Sequence, residues 1–127
     1  MIDRIVVAVD DSPPALSAAA YGIRLARQLG VELHVVTVAE LGRDSDALLH
    51  HVVAGVDEGD RVPTTHVADN GREPFEAVLE VAHEVGADLI VMGRSDRRRS
   101  GRPYVGSQTE HLLEFSDIPV VVVPDTM

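Results

Sequence analysis

The chain reads as an α/β domain, a three-layer α/β/α sandwich around a five-stranded parallel sheet. Three observations predict it. Apolar, β-branched runs alternate with segments of helical periodicity over the whole length, and a βαβαβαβαβ pattern with right-handed crossovers closes into a parallel sheet with helices on both faces. The strand runs are nearly continuous in apolar residues, as in strands buried on both sides. Prolines that open helices and glycines that end them fall between the runs.

The elements follow in order. Residues 2–9 form a first strand, then Asp11 or Ser12 caps a helix opened by Pro13 and Pro14. That helix runs to about Leu29 with Leu16, Ala19, Ala20, Ile23 and Ala26 as its apolar stripe, and Gly30 stops it. Residues 31–39 are the second strand, and 43–56 a short helix of mixed pattern ended by Gly55, Gly59 and Asp60. A weaker third strand covers 62–67, where Pro63 marks an edge. After a loop at 68–71, Pro74 opens a helix with the stripe Phe75, Val78, Leu79 and Ala82, closed by Gly86. The fourth strand is 88–92, the fourth helix 107–115 and the fifth strand 118–123.

At 127 residues this is a single domain, 1–127, with no internal repeat or linker. No run is long enough to span a bilayer, and a strand starting within two residues of Met1 leaves no room for a leader, so a cytoplasmic protein without membrane insertion is expected. The chain has no cysteine, which excludes disulfides, thiolate nucleophiles and Cys-based zinc sites. A net charge of −10 argues against nucleic-acid binding. All 11 basic residues are arginine.

In a doubly wound sheet, ligands bind beyond the strand C-termini where the winding reverses. Placing the reversal between strands one and four gives the order 3-2-1-4-5 and sets Asp10 and Gly93 across one crevice. The loop from Gly93 runs through Arg94, Ser95 and Asp96 to Gly106 and Ser107, where Ser107 and Glu110 form an S-x-x-E capping box ahead of Leu112, Leu113 and Phe115. A glycine-led loop entering a helix N-terminus offers main-chain N–H groups to an anion, usually a phosphate. Read blandly, Gly93 only permits a turn and Ser107 only caps a helix.

Four segments together resemble the universal stress protein family over essentially the whole chain: Val9-Asp10-Asp11-Ser12-Pro13, Ala87 to Gly93, Gly106-Ser107, and Ile118 to Pro124. The resemblance implies a Rossmann-like fold of the adenine nucleotide alpha hydrolase type. It also implies a regulatory, stress-response role without enzymatic turnover beyond, at most, slow nucleotide hydrolysis. The nucleotide site would place adenine near Asp10 and Val38, ribose and phosphates along Met92, Gly93 and the position of Asp96, and the phosphates at Gly106, Ser107, Gln108 and Thr109, with Arg94 reaching a phosphate. ATP is the implied ligand, with Mg²⁺ only as its companion.

The family signature is Gly, two residues, Gly, nine residues, then Gly followed by Ser or Thr. Gly93 and Gly106-Ser107 match its outer positions at the right spacing, but Asp96 replaces the middle glycine. A carboxylate ~4 Å from a phosphate at an effective dielectric near 20 repels by about 4 kcal/mol, roughly a thousandfold in affinity. Arg97, Arg98 and Arg99 offset this if they fold inward; a charge run more often faces water. Two readings stand: a nucleotide-responsive regulator, and a member that has lost nucleotide binding and acts through dimerisation and protein contacts.

Other readings are weaker. Asp10-Asp11 after a first strand suggests a receiver domain, but that chemistry uses a late-strand lysine, and no aspartate ends the third strand. The six histidines have no metal-ligand spacing: His50 and His51 point about 100° apart on a helix, and His34, His66, His83 and His111 lie on separate elements. His111 stands one turn beyond Ser107, facing the loop or solvent. No catalytic constellation appears. The all-valine run Val120 to Val123 is an exposed-edge hazard that pairing with a second copy removes, so a homodimer through the last strand is expected.

Overall fold

The computed structural model describes residues 1–10, 12–39, 42, 44–56, 61–69, 71, 73–94 and 107–124. Nine elements alternate along the chain: β1 (Arg4–Ala8), α1 (Pro13–Leu29), β2 (Glu32–Val38), α2 (Ser45–Val53), β3 (Thr64–Ala68), α3 (Pro74–Val85), β4 (Leu89–Gly93), α4 (Ser107–Phe115) and β5 (Val120–Val123). The strands form one parallel sheet in the order β3-β2-β1-β4-β5. The winding thus reverses between β1 and β4, as the loop placement requires.

The continuous apolar runs are explained by burial on both faces. Ile5, Val6 and Val7 in the central strand are all fully buried. Odd-numbered β1 residues pack with Val35 and Val91 under α1 and α2, through Ala18, Ile23, Leu49 and Val52. Val6, Ala8, Val36 and Ile90 face the other way, under α3 and α4, through Val78, Ala82 and Leu112. Each layer covers one side of the pleat.

Helix ends follow local chemistry. Ser12 is the N-cap of α1, with Pro13 and Pro14 in its first turn, and Asp44 caps α2 by accepting from Ala47 N at 3.0 Å. Gly30 and Gly86 end α1 and α3 in the left-handed region, at φ 69° and 70°, where a Cβ is unfavourable.

Boundaries shift where a donor or cover is missing. β3 starts at Thr64, because the ladder begins at His34↔Thr64, Pro63 has no N–H, and Val62 is 78% exposed. β5 starts at Val120, since Ser116 and Ile118 form a tight turn before it. α2 is shorter than expected and ends at Val53.

The predicted stripe of α1 needs a correction. Ala20 is exposed and Leu16 half-buried, whereas Ala15, Ala18 and Gly22 are buried. Ala19, Ile23 and Ala26 of the predicted stripe are buried, and the buried face is turned so that Leu16 lies at its margin and Ala20 beyond it. The smallest side chains take the sheet side because they let the helix approach closely. α3 obeys its prediction better: Val78 and Ala82 are buried, Phe75 and Leu79 half-buried.

Candidate functional site

The C-terminal ends of β2, β1 and β4 line up at one edge of the sheet and carry Val38, Asp10 and Met92-Gly93. Val38 and Met92 are half-buried against the core beneath α3 and α4. Asp10 is exposed, and its Oδ1 accepts from Ser12 N at 2.8 Å. Arg94 is half-buried, and its main-chain N–H donates to Val123 O at 2.8 Å, tying the start of the loop to β5.

Gly93 is the last residue of β4 and pairs with Val123. Its backbone is not in the left-handed region, so turn geometry is not why it is a glycine. Crowding is. A Cβ there would lie 2.4 Å from the Pro14 carbonyl oxygen and 2.8 Å from Ala15 N. The first turn of α1 therefore presses against the end of β4.

α4 reaches the same residue from the other side. Thr109 is buried, and its hydroxyl donates to Gly93 O at 3.2 Å. Ser107, Gln108 and Thr109 make up the first turn of α4, where main-chain N–H groups have no acceptor within the helix and the macrodipole is positive. The capping-box expectation is corrected here. Ser107 is the first residue of α4, and among the described residues no bond joins its hydroxyl to Glu110.

Gln108 also has a role that its spacing did not reveal. Its Oε1 accepts from Phe75 N at 3.0 Å and its Nε2 donates to Glu73 Oε2 at 2.9 Å. Glu73, the N-cap of α3, makes no side-chain cap bond of its own. Gln108 caps α3 from a different helix, so only its main-chain N–H faces the role expected of it. His111 lies against the Phe75 ring at 5.1 Å, and Phe115 stacks on the same ring at 5.8 Å, which fastens α4 to α3.

Asp96 and Gly106 lie outside the described residues, as do Asp11 and the three arginines at 97–99. The structure brings Asp10, Gly93, Arg94 and the first turn of α4 to one edge, with Val38 and Met92 beside them. Two open grooves among the described residues lie elsewhere, one beside the C-terminal half of α1 with Leu33, Val56 and Pro63 and one between α1 and α2, and neither touches these residues. Among the described residues no group of three or more His, Asp or Glu could hold a metal ion, and no helix is long and apolar enough to cross a membrane.

Sequence spacing missed a polar cluster at the opposite end of the sheet. His34 Nδ1 and His66 Nε2 are 3.0 Å apart, and Glu32 Oε2 is shared by Arg4 Nε at 3.0 Å and His34 Nε2 at 3.5 Å. The His34 bond, with help from Arg4, holds the Glu32 carboxyl below its ordinary value. Burial lowers the His66 value, and the neighbouring His34 lowers it further. Only the parallel register, His34↔Thr64 and Val36↔His66, puts the two rings side by side.

Sheet order, the winding reversal between β1 and β4 and the helix N-terminus beside it define a doubly wound α/β domain of the kind that binds ligands at its strand C-termini. Residues 1–124 match the universal stress protein family, and the chain belongs to it. A universal stress protein from Archaeoglobus fulgidus superposes with a TM-score of 0.79 at 28% identity, covering 97% of this chain and 99% of that one. A second structure, the universal stress protein from Archaeoglobus fulgidus in complex with dAMP, gives 0.73 at 29% identity, covering 97% and 99%. The stress response protein NhaX of Bacillus subtilis is 41% identical over 51 residues, which is 40% of this chain and 31% of NhaX.

Proposed function

We propose that this protein is a cytoplasmic, dimeric stress-response regulator that binds an adenine nucleotide, ATP with its Mg²⁺ in the first instance, between the loops that follow β1 and β4. It acts by binding rather than by turnover. The observation that carries the reading is the Thr109–Gly93 bond, which fixes the first turn of α4 to the end of β4 at the winding reversal. Phosphates at that turn meet main-chain N–H groups and the positive helix end. The dAMP complex of the Archaeoglobus fulgidus relative supports an adenine nucleotide as the ligand class. Nucleotide binding would change a surface read by a partner. Pairing of two β5 strands would cover the edge formed by Val120, Val121 and Val122, which are only half-buried in the single chain.

A second reading rests on Asp96: its charge at the middle signature position disfavours phosphate, leaving a member that works through dimerisation and protein contacts alone. Titration calorimetry with Mg-ATP and with AMP separates the two. Saturable heat supports the first reading. Silence at millimolar nucleotide, with no thermal shift, rejects it, and binding gained by Asp96→Gly then locates the cause. Light scattering tests the dimer; a monomer at high concentration removes the edge-pairing argument.

A further inference from the structure

The His34–His66 pair spans the junction between the sheet and its edge strand. β3 has little else to hold its side chains: Thr64, Thr65 and Val67 are exposed, and His66 and Ala68 are half-buried. His34, in contrast, is 8% exposed. Glu32 favours a proton on His34 Nε2, so neutral His34 presents the Nδ1 lone pair, and His66 Nε2–H donates to it at 3.0 Å.

We propose that the His34–His66 pair is a proton-counting latch that keeps edge strand β3 on the sheet with zero or one bound proton and releases it when a second proton binds. One added proton is tolerated. His34 becomes cationic beside Glu32, its Nδ1–H donates, and His66 switches tautomer to accept. A second proton sets two N–H groups against each other across 3.0 Å, together with two like charges in a partly buried site. The lowered His66 value, caused by burial and by His34, accords with this.

The groups facing the pair come from every neighbouring element. β1 supplies Arg4, bound to Glu32. β2 supplies Glu32 itself. α3 supplies Glu84, whose charge opposes the lowering of His66, and Glu80 one turn earlier. Asp88, ahead of β4, is occupied by the Asp3 and Arg4 main-chain N–H groups. Among the described residues Glu32 is the carboxylate bonded to His34, so the carboxylates stabilise the first proton far better than the second.

The sign follows from proton counts. With the strand released, the His66 ring returns to its ordinary value; with it docked, burial and the neighbouring His34 hold that value lower. Below about pH 6.5 the open form holds one proton more, so its population rises about tenfold per pH unit.

Hydrogen exchange of the 64–68 amides, corrected for intrinsic rates and followed from about pH 7.5 to about pH 5, tests this against the β4 amides as an internal reference. The expected result is a selective rise in β3 opening of about tenfold per unit on the acid side, abolished in His66→Gln, which keeps a neutral polar side chain. A β3 profile that tracks β4, or an unchanged pH slope in His66→Gln, overturns the latch. Imidazole ¹⁵N titration of the native chain is an independent check: two separated protonation steps support it, and simultaneous uptake near 6.5 by both rings with β3 amides unmoved overturns it.

Discussion

The first turns of α1 and α4 both meet the end of β4, and they dispose of their main-chain donors in opposite ways. In α1, Pro13 and Pro14 have no N–H, Ala15 N donates to Ser12 Oγ at 3.3 Å, and Leu16 N donates to Ser12 O at 3.1 Å. The preceding Ser12 N donates to Asp10. Nothing is left to offer a ligand. In α4, the first-turn side chains are turned elsewhere, Thr109 to Gly93 and Gln108 to the start of α3, and the N–H groups of 107–109 have no acceptor in their own helix. One helix end spends its donors on its own cap; the other uses its first-turn side chains to hold β4 and α3. A helix N-terminus is an anion site only when its own cap does not consume it.

Disturbing the contact between α1 and β4 should cost most. Gly93→Ala forces a Cβ into the α1 main chain, which has no flexible end to yield, and should destabilise the fold by about 3 kcal/mol in urea denaturation. A neutral result would mean that α1 does not press on β4. Next comes Thr109→Val, which keeps the shape, removes the bond to Gly93 and leaves a part-buried carbonyl unpaired. A loss of about 1–2 kcal/mol is expected, together with weaker nucleotide binding, because α4 is no longer held at the crevice. Ser12→Ala sharpens the contrast. It should cost about 1 kcal/mol by removing the α1 cap while leaving any nucleotide affinity unchanged. An equal loss of affinity would erase the distinction between the two helix ends.

The smallest effect belongs to the far end of the sheet. Main-chain N–H groups of Asp3 and Arg4 hold the Asp88 carboxyl below its ordinary 3.8. A lowered acid contributes stability above its unfolded value and loses it as pH falls through the folded value. Asp88→Asn should therefore lower stability slightly at neutral pH and lose that deficit as pH falls below about 4, which flattens the acid limb. An acid limb as steep as the parent's would show that Asp88 does not carry it.

The element order and the reversal between β1 and β4 were legible because local signals agreed: prolines opening α1 and α3, left-handed glycines closing them, and valine runs between. What escaped was chemistry between elements. His34 and His66 are separated by a helix, and only strand register joins them. Gln108 caps a helix 33 residues earlier in the chain, which no local pattern encodes. Gly93 reads locally as a turn residue, whereas crowding by α1 rather than turn geometry demands a glycine there. The buried side of α1 was legible at Ala19, Ile23 and Ala26 and missed only at the flank, where Leu16 and Ala20 are less covered.

The Gln108 side chain has a mechanical meaning. It grips the first amide of α3 and the Glu73 carboxylate at once, so α4 cannot rotate about its opening turn without surrendering both bonds or dragging the start of α3 along. Whatever seats itself against residues 107–109 thus tugs on a second helix, and the region around Glu73 to Phe75 becomes the outward-facing end of a lever whose short arm sits in the crevice.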